Sequence, residues 1–251
     1  MPSWFITGTS RGLGLEFVKE LIKDPSNVVI ATARDISAPG LAALPKSDRL
    51  HLLTLDVSKE EHFVRVVAET EKLLPNGLDY LINNAGVDYQ TNQTFGNDVD
   101  FKAFHEEFEI NVIAPLRLTR VLTPLINKGT AKRVAFLTSE MGSITAAIGI
   151  PFLGDTYSTT KAALNMAVRK YGAALKTVGS DIILLSIYPV TGYIPGTELA
   201  NRLVPYFDKY APSYPRTPID EGVLGTLKVI KESTKEDHAK FLSHKHTDIA
   251  W

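Results

Sequence analysis

Apolar residues along the chain fall into short unbroken runs, separated by longer stretches in which they recur every three or four places. The runs are WFITG (4 to 8), NVVIATAR (27 to 34), RLHLLTLDV (49 to 57), LDYLINNAG (78 to 86), RVAFLTS (133 to 139) and DIILLSIYP (181 to 189). Segments that stay apolar on successive positions, instead of alternating with polar ones, predict strands buried on both faces. Between the first two, LGLEFVKELIKD sets Leu15, Val18 and Ile22 on one helical stripe. SKEEHFVRVVAETEKLL opens with Ser58 and Glu61 at capping-box spacing, and Phe101, Phe104, Phe108, Val112 and Leu116 mark a third amphipathic helix. Strands alternating with helices predict an α/β fold: one domain over residues 1–251, a doubly wound parallel sheet (Rossmann fold) covered by helices on both faces.

One stretch breaks the rhythm. Residues 190 to 217, rich in Pro, Tyr and Gly, follow the sixth strand. In a doubly wound sheet ligands lie beyond the carboxyl ends of the strands, so an irregular insert at this point is placed to cover a site.

Composition narrows the function classes. The 251 residues include 44% hydrophobic ones and carry a formal net charge of -1. Nucleic-acid and membrane-surface binders need a basic face to hold phosphates, and this balance provides none. Cysteine is absent, which removes disulfides and thiolate metal sites. No apolar run reaches the roughly 18 residues that span a bilayer, and the amino terminus enters SWFITG without a signal-type prelude, so a cytoplasmic protein is expected. His244 and His246, two apart in a polar tail, do not make a metal site, and none is expected.

The first run ends in TGTSRGLG, with Gly8, Gly12 and Gly14 ahead of a helix. Glycines at this junction let the chain turn tightly, let phosphate oxygens approach the backbone, and bring the helix start close to the strand. The free N–H groups of the helix N-terminus then favour a pyrophosphate. Gly8, Ser10, Arg11, Gly12, Leu13 and Gly14 are therefore the expected dinucleotide cradle. An acidic residue at the end of the second strand would accept from a ribose 2′-hydroxyl, whereas a 2′-phosphate needs a cation. Here Arg34 stands at that tip and Arg11 inside the turn, which favours NADP(H) over NAD(H); Asp35 follows at once and leaves the carboxylate alternative open.

Tyr157 and Lys161, in YSTTK, are four apart at the start of an alanine-rich helical stretch and so share a helix face. A phenol ordinarily titrates near pH 10, and a neighbouring cation lowers that value, so Lys161 is expected to make Tyr157 a usable acid near neutrality. These residues, with NNAG (83 to 86), NVIAP (111 to 115), TSEMGSI (138 to 144) and YSTTKAALN (157 to 165), make residues 3 to about 189 resemble the classical short-chain dehydrogenases/reductases. MGSI, STTKAALNM and the terminal Trp251 look like the C-factor and sniffer-type carbonyl reductases.

The resemblance implies a catalytic set of Asn111, Ser139, Tyr157 and Lys161, with Ser139 preferred to Ser143 because the family's serine precedes a glycine, here Gly142, by three residues. It implies that Asp56 and Val57 contact adenine, that Asn83, Ala85 and Gly86 line the cofactor, and that Pro189, Val190 and Thr191 meet its nicotinamide end. In that scheme Tyr157 protonates a carbonyl oxygen, Ser139 hydrogen-bonds the same oxygen, Lys161 also holds the ribose, and Asn111 fixes a water that resupplies the proton. The resemblance further implies a homodimer or homotetramer built on the helices at 101 to 127 and from Tyr157.

Two departures from the family pattern matter. Val190 stands where a glycine is usual, with Thr191 or Thr197 left to supply the hydroxyl that touches the carboxamide, and the serine-to-tyrosine stretch is several residues longer than usual. That stretch and the insert contribute Ile148, Phe152, Tyr193, Leu199, Leu203, Tyr206, Phe207, Tyr210 and Tyr214, surface that suits a hydrophobic substrate such as an aromatic or polycyclic ketone. Two rival readings are a sensor or scaffold that binds the dinucleotide without turnover, which predicts loss of the Tyr or Lys, and a non-redox enzyme, supported only by the altered PVTG segment.

Overall fold

A computed structural model of the chain describes residues 1–149, 153–195 and 197–251. In chain order the elements are β1 (Ser3–Thr7), α1 (Gly12–Leu21), β2 (Val28–Ala33), α2 (Pro39–Ala42), β3 (Leu50–Thr54), α3 (Glu60–Leu73), β4 (Tyr80–Asn83) and α4 (Phe101–Phe108). A π turn (Glu109–Ile113) leads into α5 (Ala114–Lys128), followed by β5 (Arg133–Leu137), α6 (Asp155–Thr177), β6 (Ile183–Tyr188), α7 (Glu198–Tyr210), α8 (Ile219–Glu232) and β7 (Lys240–Ser243).

The seven strands pair in parallel, in the order β3-β2-β1-β4-β5-β6-β7. Side chains alternate across a strand, so each apolar run feeds two cores. From β1, Phe5 joins a layer in which Leu81, Val134 and Leu184 pack against α3, α5 and α6, including Phe63, Leu122 and Val168. Trp4 and Ile6 turn to the other face, where α1 and α8 cover the sheet with Phe17, Val18, Val223 and Leu227. This burial on both sides is why the runs read as continuous apolar stretches. The chain reverses direction across the sheet between β1 and β4, which opens a crevice at their carboxyl ends.

The α/β expectation is met, with local corrections. The buried stripe of α1 is Gly14, Phe17, Val18 and Leu21, one step from the predicted one; Leu15 and Ile22 are half-buried at its edge. Ser58 does not cap α3. Its hydroxyl and N–H both bond Asp56 Oδ1, at 2.8 and 3.0 Å, so the local turn takes the group that the cap would need, and the helix starts two residues later. The third helix is broken by the π turn, and Phe101 is exposed at its start, where Asp100 provides the cap. The insert at 190 to 217 is less irregular than expected, because it contains α7, a 13-residue helix capped by Thr197. A seventh strand, β7, adds to the six that the apolar runs predict. Among the described residues no helix is long and apolar enough to cross a membrane.

Candidate active site

The turn after β1 brings its glycines against the loop after β4. Gly8 and Gly12 adopt φ of +71° and +58°, a region costly for side-chain-bearing residues. A Cβ on Gly14 would lie 2.2 Å from the Gly8 carbonyl oxygen. Asn84 clamps this arrangement. Its side chain donates to the carbonyls of Thr7 (2.8 Å) and Gly8 (3.0 Å), while the Thr7 hydroxyl accepts the N–H groups of Asn84 and Ala85. No side chain caps the start of α1, so its first N–H groups remain available to an anion.

A cavity of about 450 Å³ runs from this turn over the carboxyl ends of the strands. At its adenine end lie Arg34, Asp56 and Val57. Burial would raise the Asp56 carboxyl, but the Ser58 hydroxyl and N–H and the Arg34 charge hold it below the usual carboxylate range. Asp35, the alternative to Arg34, is engaged instead by the Ser37 hydroxyl and N–H at 2.6 and 2.8 Å. Arg11 lines the cavity and is ion-paired with Glu198 at the start of α7.

The cradle and the uncapped helix N-terminus fit the pyrophosphate of a dinucleotide, and Arg34 and Arg11 line the same cavity. Ser10, Leu13, Ala85, Gly86, Pro189 and Val190 also line the cavity. Asn83 does not. The side chain of this last β4 residue turns into the core and donates to Thr119 Oγ1 at 3.2 Å, so strand parity gives the lining role to Asn84. Thr191 is exposed outside the cavity, its backbone tied to the Thr217 hydroxyl, whereas Thr197 lines it.

Tyr157 and Lys161 project from the first turns of α6 and are both buried, at 7% and 4% exposure. The Ser139 hydroxyl stands close enough to the Tyr157 phenol to favour its ionised form, and it accepts the Met141 N–H at 3.2 Å. Gly142 permits this: a Cβ there would stand 2.8 Å from the Lys161 backbone carbonyl carbon. Ser143 instead ties down the C-terminal strap by donating to the Ala250 carbonyl at 2.7 Å.

Asn111, on the π turn, is 1% exposed. Its amide exchanges two 2.8 Å bonds with the Val87 backbone and donates to Thr160 Oγ1 at 3.0 Å. It thus clamps the loop after β4 to the residue preceding Lys161, and both of its donor hydrogens have protein partners.

The expected acidification of Tyr157 by Lys161 is not found. Burial pushes the phenol up, the Asp88 carboxylate pushes in the same direction, as Glu107 would if ionised, and the nearby Ser139 hydroxyl opposes them. The Lys161 ammonium lies 5.5 Å from the ring centroid and donates to the Leu137 carbonyl at 2.9 Å. Burial lowers its own pKa to about 8. The phenol therefore keeps its proton across the neutral range.

The far end of the cavity is aromatic. Phe207 is stacked between Tyr193 and Tyr214, with ring centroids 5.1 and 4.3 Å away, and Leu199 and Leu203 extend the wall. Ile148 is 92% exposed, and Tyr206 and Tyr210 lie outside the lining. Phe152 falls outside the described residues. Among the described residues no group of His, Cys, Asp or Glu could hold a metal ion.

Residues 3–204 match the family model for short chain dehydrogenases. Over 271 residues the chain is 32% identical to the short-chain dehydrogenase/reductase atnB of Arthrinium sp, covering 100% of both. It resembles the NADPH-bound carbonyl reductase from chicken fatty liver with a TM-score of 0.84 at 28% identity, over 100% of this chain and 99% of that one. The carbonyl reductase Sniffer of D. melanogaster shares the fold at a TM-score of 0.85, with 24% identity and full coverage of both chains.

Proposed function

Because the chain belongs to the short-chain dehydrogenase family and is thus an oxidoreductase, we propose that it reduces the carbonyl of a hydrophobic, aromatic or polycyclic small molecule with NADPH. The observation that carries this reading is the buried Tyr157 phenol, protonated at neutral pH, lining together with Ser139 and Lys161 a cavity whose other end is the glycine turn. The cofactor would supply the hydride.

As negative charge develops on the carbonyl oxygen, Ser139 donates a hydrogen bond to it and Tyr157 delivers the proton. A phenol of raised pKa is still a stronger acid than the alcohol that forms when the alkoxide takes its proton, so the transfer runs downhill. Lys161 is buried one helical turn away and keeps a positive charge near the phenol after the proton has left. Asn111 holds the Gly86–Val87 segment and α6 in register.

Arg34 and Arg11 would bind the 2′-phosphate, which supports NADP(H) over NAD(H), since Asp35 is engaged by Ser37. The NADPH-bound relative from chicken liver is consistent with that preference. Thr197 would supply the hydroxyl beyond Val190. The reading includes one domain over residues 1–251, a cytoplasmic setting and a homodimer or homotetramer joined through α4, α5 and α6; sedimentation as a monomer would remove the last part.

Mixing the protein with NADPH and a panel of aryl and polycyclic ketones, and following the nicotinamide absorbance, tests the function. Oxidation of NADPH with at least one member is expected. Tight NADPH binding with no turnover across the panel would favour a non-catalytic binder.

A further inference from the structure

Two acidic side chains lie buried beside Tyr157 and have no part in the reaction above. Glu107, on α4, is 0% exposed. Its Oε1 accepts the Tyr89 N–H at 2.5 Å, and its Oε2 has no hydrogen-bond partner. The hydroxyl of Thr156, immediately before Tyr157, is likewise buried without a partner and lies against the Glu107 carboxyl. Asp88, in the loop after β4, is 5% exposed and accepts from the Gln90 N–H at 3.2 Å and the Thr91 hydroxyl at 2.8 Å.

A hydroxyl can donate or accept, so either protonation state of Glu107 could join the two orphaned atoms. Burial and charge decide between them. Glu107 is faced by Asp88, a like charge, from the β4 loop and by Tyr157 from α6. Among the described residues no cation is paired with its carboxyl. On α6, Lys161 is directed to the Leu137 carbonyl and Asp155 accepts the Phe95 N–H. Arg202 of α7 reaches the Asp88 backbone carbonyl, and its charge favours the Asp88 anion. Two neighbouring buried carboxyls do not both ionise readily, and the one with a cation at hand takes the charge. Burial raises both acids, in line with a proton on the unpaired one.

We propose that Glu107 is a positioning residue whose buried, cation-free carboxyl is held in its neutral form, donates from Oε2 to the Thr156 hydroxyl, and so anchors the first turn of α6 while keeping a second anion away from the Tyr157 phenol. Its kinetic consequence rests on Tyr157 being the proton donor. Its protonation does not.

The infrared spectrum of the full chain labelled with ¹³C-glutamate tests the proton directly at pH 7. A label-sensitive carboxylic-acid C=O band is expected, and it is lost in Glu107→Gln. Stability gives a second readout. A carboxyl neutral in the fold and ionised when unfolded loses stability as pH rises above the ordinary glutamate value of about 4.3, so melting of wild type should fall increasingly behind Glu107→Gln.

Positioning is read from NADPH oxidation with phenanthrenequinone as probe. Glu107→Ala should lower kcat about tenfold with NADPH Kd unchanged, and Glu107→Gln, neutral and able to donate to Thr156, should recover most of it. In the amide variant the alkaline limb of kcat should move to lower pH, because no anion can form beside the phenol. The proposal is overturned if no Glu107-dependent acid band exists, if the melting difference is flat with pH, or if Gln is as slow as Ala. If Tyr157→Phe retains full turnover while the band persists, the assignment of the proton donor fails and the protonated Glu107 stands.

Discussion

The methyl group that Gly14 lacks is a direct probe of the nucleotide cradle. Built there, it would stand 2.2 Å from the Gly8 carbonyl oxygen and 2.6 Å from Asn84 Nδ2, so α1 would have to move off the turn. Gly14→Ala should cost about 1–3 kcal/mol of stability and weaken NADPH binding, both readable in one thermal-shift titration. Arg34→Asp should weaken NADPH about tenfold to a hundredfold and leave NADH within about twofold, since a bond to a charged group contributes roughly 1.5–3 kcal/mol; equal losses for both cofactors would remove Arg34 from the 2′-phosphate.

What could be read in advance at this scale was local. Tyr157 and Lys161 share a face because four residues make about one helical turn, and Gly8, Gly12 and Gly14 meet a constraint set within one turn. Whether Asn83 or Asn84 faces the cavity depends on where β4 ends, which side-chain types do not reveal. The Lys161 bond to Leu137 joins residues 24 apart, and Glu107 sits in a segment whose polar residues look solvent-facing, so neither was legible.

Among the elements, α7 walls the end of the cavity opposite the glycine turn. Thr197 caps it, and its Phe207 is held between Tyr193 and Tyr214 on the segments that flank the helix. Truncating Phe207 to Ala removes both stacks, which are worth roughly 0.5–1.5 kcal/mol each beyond the area buried. The expected result is a severalfold rise in KM for an aromatic ketone with NADPH affinity unchanged; equal effects on both would make α7 a general cover instead of a substrate wall.

Pro, Gly and Tyr dominate the insert and predict irregular chain, yet Pro205 is accommodated within a helix that packs its own apolar side onto Leu153 and Tyr193. β7 escaped notice for a different reason. Its four residues, KFLS, are too short to declare a period, and pairing with β6 is what makes them a strand. The capping box at Ser58 and Glu61 had the right spacing, but a nearer partner, Asp56, took the serine.

Across the whole molecule the parallel order was foreseeable, because strand runs buried on both sides need helices over both faces and right-handed crossovers allow few arrangements. That arrangement also dictates the cost of the site. Lys161 sits inside it with a pKa of about 8, below its ordinary 10.5, because burial opposes the charged form. The folded state therefore binds fewer protons than the unfolded state between these values, so its contribution to stability increases as pH rises through that window, by about 1.4 kcal/mol per unit at most. Lys161→Met should lack this rise, melt a few degrees higher than wild type near pH 7, and have almost no reductase activity. Melting curves of the two proteins from pH 7 to 10 check the sign.

The measurement closest to the centre of the account is the rate of NADPH oxidation by Tyr157→Phe with a ketone that wild type reduces, alongside its NADPH Kd. A phenol that delivers the proton predicts a loss in kcat of at least about 100-fold with Kd within about twofold. Turnover within about threefold of wild type would contradict it, leaving the buried phenol as packing and the proton to come from elsewhere.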